Sequence, residues 1–559
     1  MRRVPLFALL TLAGCAAVGT GSAGLRPAVD APSVRGPDAS KTSQMPLGPD
    51  TPLGREVWAL RERVRVLLRA QAELSWRSWA LGEAVDASAL EAELAALATP
   101  ESVATVDRLL KERAPSTGSS DEARALLALK LFLAGEYVAQ KSAAASDAVA
   151  QIAAKATLSV DGQELPFRDL EALLASEAHG GRRRRIAKAA LPVLRTLNGP
   201  LAEREASLDV ALKALGYPSY LSFVVQLRQV DLDAVASLAQ EVLDKTLSPY
   251  RAAMEELARR ELRIASLAQL RRADVARLFR TGHVDTFFPK EKLGAALVGS
   301  LAAMGLGPEQ RPGLKLDFDP RPRKSPRALA IAFEVPKDVR LSLKPANGLS
   351  AWAQALHELG HAVGYALNGS DRFELQLLGG GAAGEAEGFL FEGLLDDRRF
   401  CAAQGVPDSK LASHARTAAL RRLFALRQAA GCVLFEIAWR KEPAADPMAK
   451  YREVQAQAFG FPLEDEDAER YLLEHEDFFV CADQLRGQVA AGQLEAALES
   501  RVGPSWWKSQ KAGAALAELL RDAGRLPLEE LLQGGGIPKL DPAPLVTSLE
   551  AALAQGRGP

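Results

Sequence analysis

The chain has 559 residues, a formal net charge of −1 and hydrophobic residues at 48 % of positions. That length suffices for a large core, as one enzyme-sized unit or as two lobes. A charge so near zero argues against a nucleic-acid binder, and no nucleic-acid partner is expected.

Residues 1–14 read as a signal peptide. Arg2 and Arg3 give a basic start, and VPLFALLTL is an apolar run too short to span a bilayer. The run ends in Leu12-Ala13-Gly14-Cys15, which resembles the lipobox of bacterial lipoproteins. The resemblance implies a lipid on Cys15, a mature chain beginning there, and membrane attachment through that lipid anchor. Ala16 in place of an aspartate favours the outer membrane of the cell envelope, facing the periplasm. Residues 15–52 are rich in Gly, Pro, Ser and Asp without apolar period, and are expected to form a flexible tether.

From residue 53 to about 210 the pattern is one of successive helices, broken at TP, APSTGSS and SVDGQELP. This stretch is expected to be an N-terminal helical lobe, with a second lobe over 211–559. The run Arg182–Arg185 opens an amphipathic helix and reads as a solvated or salt-bridged face. A helix is expected from Asp231 to about Arg263. The Pro- and Arg-rich segment that follows holds the best strand candidate, VRLSLK (339–344), where Val339, Leu341 and Leu343 alternate with polar residues. Cys401, Cys432 and Cys481 show neither a disulfide framework nor metal-ligand spacing, and are expected to be buried thiols.

Immediately after the strand comes LHELGHAVGYAL (356–367). An HExxH pattern should arise by chance in on the order of one such chain in two hundred. Asn347-Gly348 reads as a turn, Ser350 as the helix N-cap and Asn368-Gly369 as the stop. His357 and His361, one turn apart, project from one face and can reach one metal. Ala353 and Gly364 flank them, which is expected to leave room for metal and substrate. Glu358 stands beside the first histidine, where a general base for a hydrolytic water belongs. A histidine six residues after the second would complete a metzincin site, but position 367 is Leu. The other solution is a glutamate from a following helix, expected over about 383–400. Glu374, Glu385, Glu387 and Glu392 are the candidates.

HELGH followed by GEAEG resembles the helical gluzincin peptidases, the group that holds angiotensin-converting enzyme, oligopeptidase F and thimet oligopeptidase. In the converting-enzyme pattern the third ligand lies 24 residues after the second histidine, which is Glu385 in Glu385-Ala386-Glu387-Gly388. ALGYPSYLSF is similar to a Gly-Tyr-x-x-Tyr segment of these families, and VRLSLK stands where they carry a substrate-pairing strand. The resemblance implies a mainly α, two-lobed peptidase fold with a small β element next to the zinc helix. It also implies Zn2+ on His357, His361 and Glu385, Glu358 as general base and proton shuttle, and short peptides admitted to a channel between lobes. Glu387 is the alternative ligand, roughly 200° around the helix from Glu385. Glu392 and Asp396 follow Glu385 on its face, placed to orient the histidines.

One part of the pattern is missing. The related peptidases supply an oxyanion donor, tyrosine with histidine, from a later helix. The segment similar to it, residues 472–498, contains His475 but no tyrosine. Either His475 takes the donor role alone, or Tyr217, Tyr220, Tyr451 or Tyr471 folds into place, or the protein binds zinc and hydrolyses peptides poorly. In the last case it would serve as a binding or scaffold lipoprotein.

Overall fold

The structure, a computed structural model, describes residues 51–117, 121–282, 284–443, 445–475 and 477–555. Cys15 lies outside the described residues. Among those described, no helix is long and apolar enough to cross a membrane.

Helix α1 (Pro52–Trp79) starts where Thr51 Oγ1 accepts from the Gly54 N–H at 3.1 Å, with proline in the first turn. The next long helix, α2 (Asp121–Lys155), runs past the Gln140 at which the leucine period fades, because alanine-rich SAAASDAVAQIAAK sustains it. SVDGQELP is more than a break. It forms a hairpin, β1 (Thr157–Val160) with β2 (Gln163–Pro166), turned by Asp161 and Gly162 at φ 53° and 78°. In the arginine run, Arg182 and Arg185 hold Asp161 at the surface, whereas Arg183 is 2 % exposed and pairs with Asp274 at 2.7 Å. Then follow α3 (Leu191–Ala214), α4 (Tyr220–Arg228), capped by a Ser219–Ser222 box, and α5 (Leu232–Leu262).

Three strands precede the HELGH helix: β3 (Leu314–Asp317), β4 (Leu329–Glu334) and β5 (Asp338–Ser342). The expected strand is β5, with Val339 and Leu341 buried. Its place differs from what the resemblance implies. The sheet order is β3-β5-β4, so β5 is central, paired parallel to β3 and antiparallel to β4. A central strand has no backbone left for a substrate, whereas β4 has one open edge. Leu329, Ile331 and Phe333 of β4 pack on α1 at Ala72, Trp76 and Trp79, and Ala330 turns towards the next helix.

The remaining helices that matter are α6 (Leu349–Leu367), α7 (Gly381–Glu392), α8 (Asp408–Lys441), α9 (Pro447–Phe459), α10 (Val480–Val502) and α11 (Ala543–Ala554). The helix expected over 383–400 is shorter, since α7 ends in a 3-10 turn at Gly393–Leu395.

The two largest apolar cores among the described residues fill the two lobes. The first draws on residues within 57–278, 419–489 and 545–553; the second on 284–411 and 490–537. The chain thus leaves the first lobe, builds the second and returns. Helices α8 and α10 each pass from one core to the other: Leu411 and Leu494 lie in the second core, Leu423 and Leu485 in the first. Each fully buried leucine or phenylalanine contributes roughly 1.5–3 kcal/mol, so both helices are held along their length.

Glu136 of α2 is a cost within the first lobe. It is 2 % exposed, Oε1 has no hydrogen-bond partner among the described residues, and burial pushes its carboxyl up to about 8. For an acid raised on folding, full stability holds below the unfolded pKa, and it is lost as pH climbs from about 4.5 towards about 8. Glu136→Gln is therefore expected to stabilise the protein at pH 8 by about 2–4 kcal/mol, with the difference fading near pH 4. Denaturant unfolding of both proteins across pH checks this; a pH-independent difference would contradict it.

Candidate metal centre

Helix α6 begins without the expected Ser350 cap. Gly348 precedes it at φ 102°, and the Leu349 N–H donates to Asp285 Oδ1 at 3.0 Å. A carboxylate brought from 64 residues upstream complements the helix dipole better than a neutral serine. The helix ends at Leu367, as Asn368-Gly369 implies.

Helices α6 and α7 run antiparallel and touch through glycines. A Cβ on Gly360 would stand 2.3 Å from the Glu387 carbonyl oxygen, and one on Gly388 would stand 2.5 Å from the His357 ring. The contact brings three donors together: ligand atoms of His357, His361 and Glu385 lie within 4.8 Å of one another. From the far side α10 presses on α7, where a Cβ on Gly487 would come 2.5 Å from Glu385 Cβ. Gly360→Ala is expected to cost roughly 1–3 kcal/mol or more by forcing the two helices apart. A thermal shift on the variant reads that; an unchanged Tm would contradict the contact.

The neighbours fix the donors. His357 Nδ1 lies 3.0 Å from Glu392 Oε2, which leaves Nε2 for a metal. His361 is pushed down to about 3 by burial and by His357 beside it, against a hydrogen bond that its ring donates to the Gly384 backbone. It is therefore a neutral donor at ordinary pH. Glu392→Gln would keep the shape and weaken the acceptor, and is expected to lower metal affinity 10–100-fold, read by competition with a chromophoric chelator.

The other candidates are placed elsewhere. Glu387 points at α6, with Oε2 only 1.8 Å from where a Gly364 Cβ would be, and burial drives its carboxyl well above the usual range. The space at Gly364 is thus taken by Glu387 and not by metal or substrate. Glu374 pairs with Arg61, and Asp396 with Arg422 at 3.2 Å.

Glu358 is buried beside β4. Its Oε2 accepts from the Ala330 N–H at 2.8 Å, and burial raises its carboxyl to about 7 against the pull of His357 and that N–H. The base candidate is thereby fixed at the open strand edge.

His475 belongs to a different cluster. Its ring is fully buried, with Nδ1 3.1 Å from Glu436 Oε1 and Nε2 3.6 Å from Glu205 Oε2, and it packs on Trp439. Tyr451 donates to Glu474, Tyr471 packs on Trp439, and Tyr217 and Tyr220 lie in the first core. Tyr365 was not among the sequence candidates. It follows His361 by four residues on α6 and is half-buried against the second core; that spacing was the available signal.

No family model matches the chain, and no curated protein sequence matches it. Among solved structures it superposes on "PZ peptidase A with inhibitor 2" with a TM-score of 0.63. The match covers 88 % of this chain and 91 % of that one at 12 % identity. The chain shares that fold, mainly α and two-lobed with small β elements. Likeness at that identity speaks for fold alone, and the chemistry rests on the residues. The triad matches HExxH-plus-downstream-Glu zinc peptidase chemistry. Two imidazoles and a carboxylate form the three-donor set of a hydrolytic zinc site with one position left for a substrate or water. Gly388 keeps the space for the first ring, so the residues fit the metal.

Proposed function

We propose that this chain is a zinc-dependent metallopeptidase that hydrolyses short peptides while anchored by a lipid on Cys15 to the outer membrane, facing the periplasm. One observation carries the catalytic part: the His357–His361–Glu385 triad stands next to a carboxylate, Glu358, fixed at the open edge of β4. Zinc held by the triad supplies Lewis-acid polarisation of a carbonyl and lowers the pKa of a water.

The chain's own residues do the rest. An extended peptide adds to the edge of β4 that no strand pairs, through the backbone groups not already held by Gln354 and Glu358, and such pairing gives affinity without demanding a sequence. The Ala330 N–H holds Glu358 Oε2, leaving Oε1 to take the proton of the attacking water and pass it to the leaving amine. Tyr365 is our candidate oxyanion donor, because it stands one turn after His361 on the same helix face and helical side chains lean back towards the N-terminus. Tyr365→Phe is expected to lower kcat ~10²-fold or more with KM and zinc content unchanged.

A second reading keeps the zinc and loses the catalysis. It is favoured by the absence of tyrosine from 472–498 and by the contacts that hold His475 to Glu436 and Glu205. A pool of mixed short peptides, analysed by mass spectrometry, decides between the two. Cleavage that stops on chelation and returns with zinc supports the peptidase. No cleavage by a protein carrying zinc on the triad would move the reading to a binding or scaffold lipoprotein.

A further inference from the structure

A second donor set, with Glu436 and Cys481 buried and Cys432 half-buried, lies at the start of α10. Cys432 and Glu436 stand one turn apart on α8, Cys481 opens α10, and their ligand atoms lie within 4.8 Å of one another. One atom is their common neighbour. Glu436 Oε1 is 3.6 Å from Cys432 Sγ, 3.7 Å from Cys481 Sγ and 3.1 Å from His475 Nδ1. Around a tetrahedral zinc, with sulfur at about 2.3 Å and nitrogen or oxygen at about 2.0–2.1 Å, sulfur and oxygen stand roughly 3.5 Å apart and nitrogen and oxygen roughly 3.3 Å. The separations of Glu436 Oε1 from the two sulfurs and from Nδ1 are close to these, and the two sulfurs lie within 4.8 Å of each other, while His475 also groups with Glu205 and Asp477.

Two buried atoms point the same way. The Glu436 and His475 side chains are 0 % exposed, and Glu436 Oε2 and His475 Nδ1 have no hydrogen-bond partner among the described residues. His475 Nδ1 and Glu436 Oε1 stand as an ion pair at 3.1 Å, the approach that a shared cation would hold in place of a proton. On the other side of the ring, Nε2 faces Glu205, itself paired with Arg440 and Arg204. A carboxylate on the far nitrogen is the usual device for fixing a ligand imidazole.

We propose that Cys432, Glu436, His475 and Cys481 form a second metal site, closed and structural, that takes a thiophilic divalent cation such as zinc. Four protein donors leave no open position for chemistry. The ion ties α8 to α10 across Phe478 and Phe479, two consecutive non-glycine residues at φ 59° and 60°, a conformation that needs support from its surroundings. Further along, α10 backs Glu385 through Gly487, so the site braces the helix behind the triad. His475 then serves as a ligand and not as an oxyanion donor.

Metal content and cobalt spectra of the full chain test this. Two zinc ions per chain are expected, falling to one in Glu385→Ala and to one in Cys432→Ser/Cys481→Ser. Cobalt-loaded wild type is expected to show thiolate-to-cobalt charge-transfer absorption, retained in Glu385→Ala. The wild-type spectrum carries the test even where the cysteine variant fails to fold. If the triad alone failed to bind, that absorption would persist with one metal per chain. Its absence from wild type would overturn the site, as would finding Cys432 and Cys481 joined in a disulfide after alkylation and mass analysis.

Discussion

Glu358→Gln is expected to reduce kcat at least ~10³-fold while KM and zinc content stay near wild type. The glutamine keeps the length of the side chain and an oxygen for the Ala330 N–H, which donates to Glu358 Oε2 at 2.8 Å. Only the ability to take up a proton is lost, and general acid–base assistance is commonly worth 10²–10⁴-fold. In the proposed mechanism one residue serves both proton transfers, which argues for the upper part of that range. A variant that loses zinc along with activity would show that the carboxylate supports the fold of the site and would remove the evidence for a base. Metal analysis beside steady-state kinetics separates the two.

Gly388→Ala is the second large effect. Its Cβ would stand 2.5 Å from the His357 ring, closer than non-bonded carbons approach, so one partner must move. The ring has little freedom, since Nδ1 is tied to Glu392 at 3.0 Å and Phe389 packs edge-on with centroids 5.0 Å apart. The expected result is a loss of zinc affinity of at least ~10²-fold, larger than loss of an outer partner alone, which costs 10–100-fold. Gly384→Ala is the control. Its Cβ would lie 3.9 Å from His361 Nδ1, an ordinary contact, and zinc binding should survive. Equal effects at the two positions would mean that the packing of α7 on α6 is misread.

The zinc motif was legible because its chemistry is local: HExxH sets two imidazoles on one helix face, and the spacing to GEAEG supplies a carboxylate. Choosing between Glu385 and Glu387 required knowing which face of α7 meets α6, and only the packed pair shows that Glu387 fills the space at Gly364. Glu392 could be found in sequence, seven residues beyond Glu385 on the same face. The cap of α6 could not, because Asp285 arrives from another element. Alternation in VRLSLK marked a strand correctly but carried no information on its neighbours, so the open edge fell on β4 instead. Cys432 and Cys481, 49 positions apart in sequence, met only because α8 and α10 cross between the same two cores. Residue periodicity gives elements and faces; the partner of each face is a tertiary property.

The most direct measurement is a time course of a mixed short-peptide pool with the full chain and with Glu358→Ala, at equal zinc occupancy of the triad. New fragments that accumulate with wild type and are absent with the variant are the expected result, and their ends would separate endo- from exopeptidase action. Identical traces for the two proteins, with zinc on His357, His361 and Glu385 in both, would contradict the peptidase.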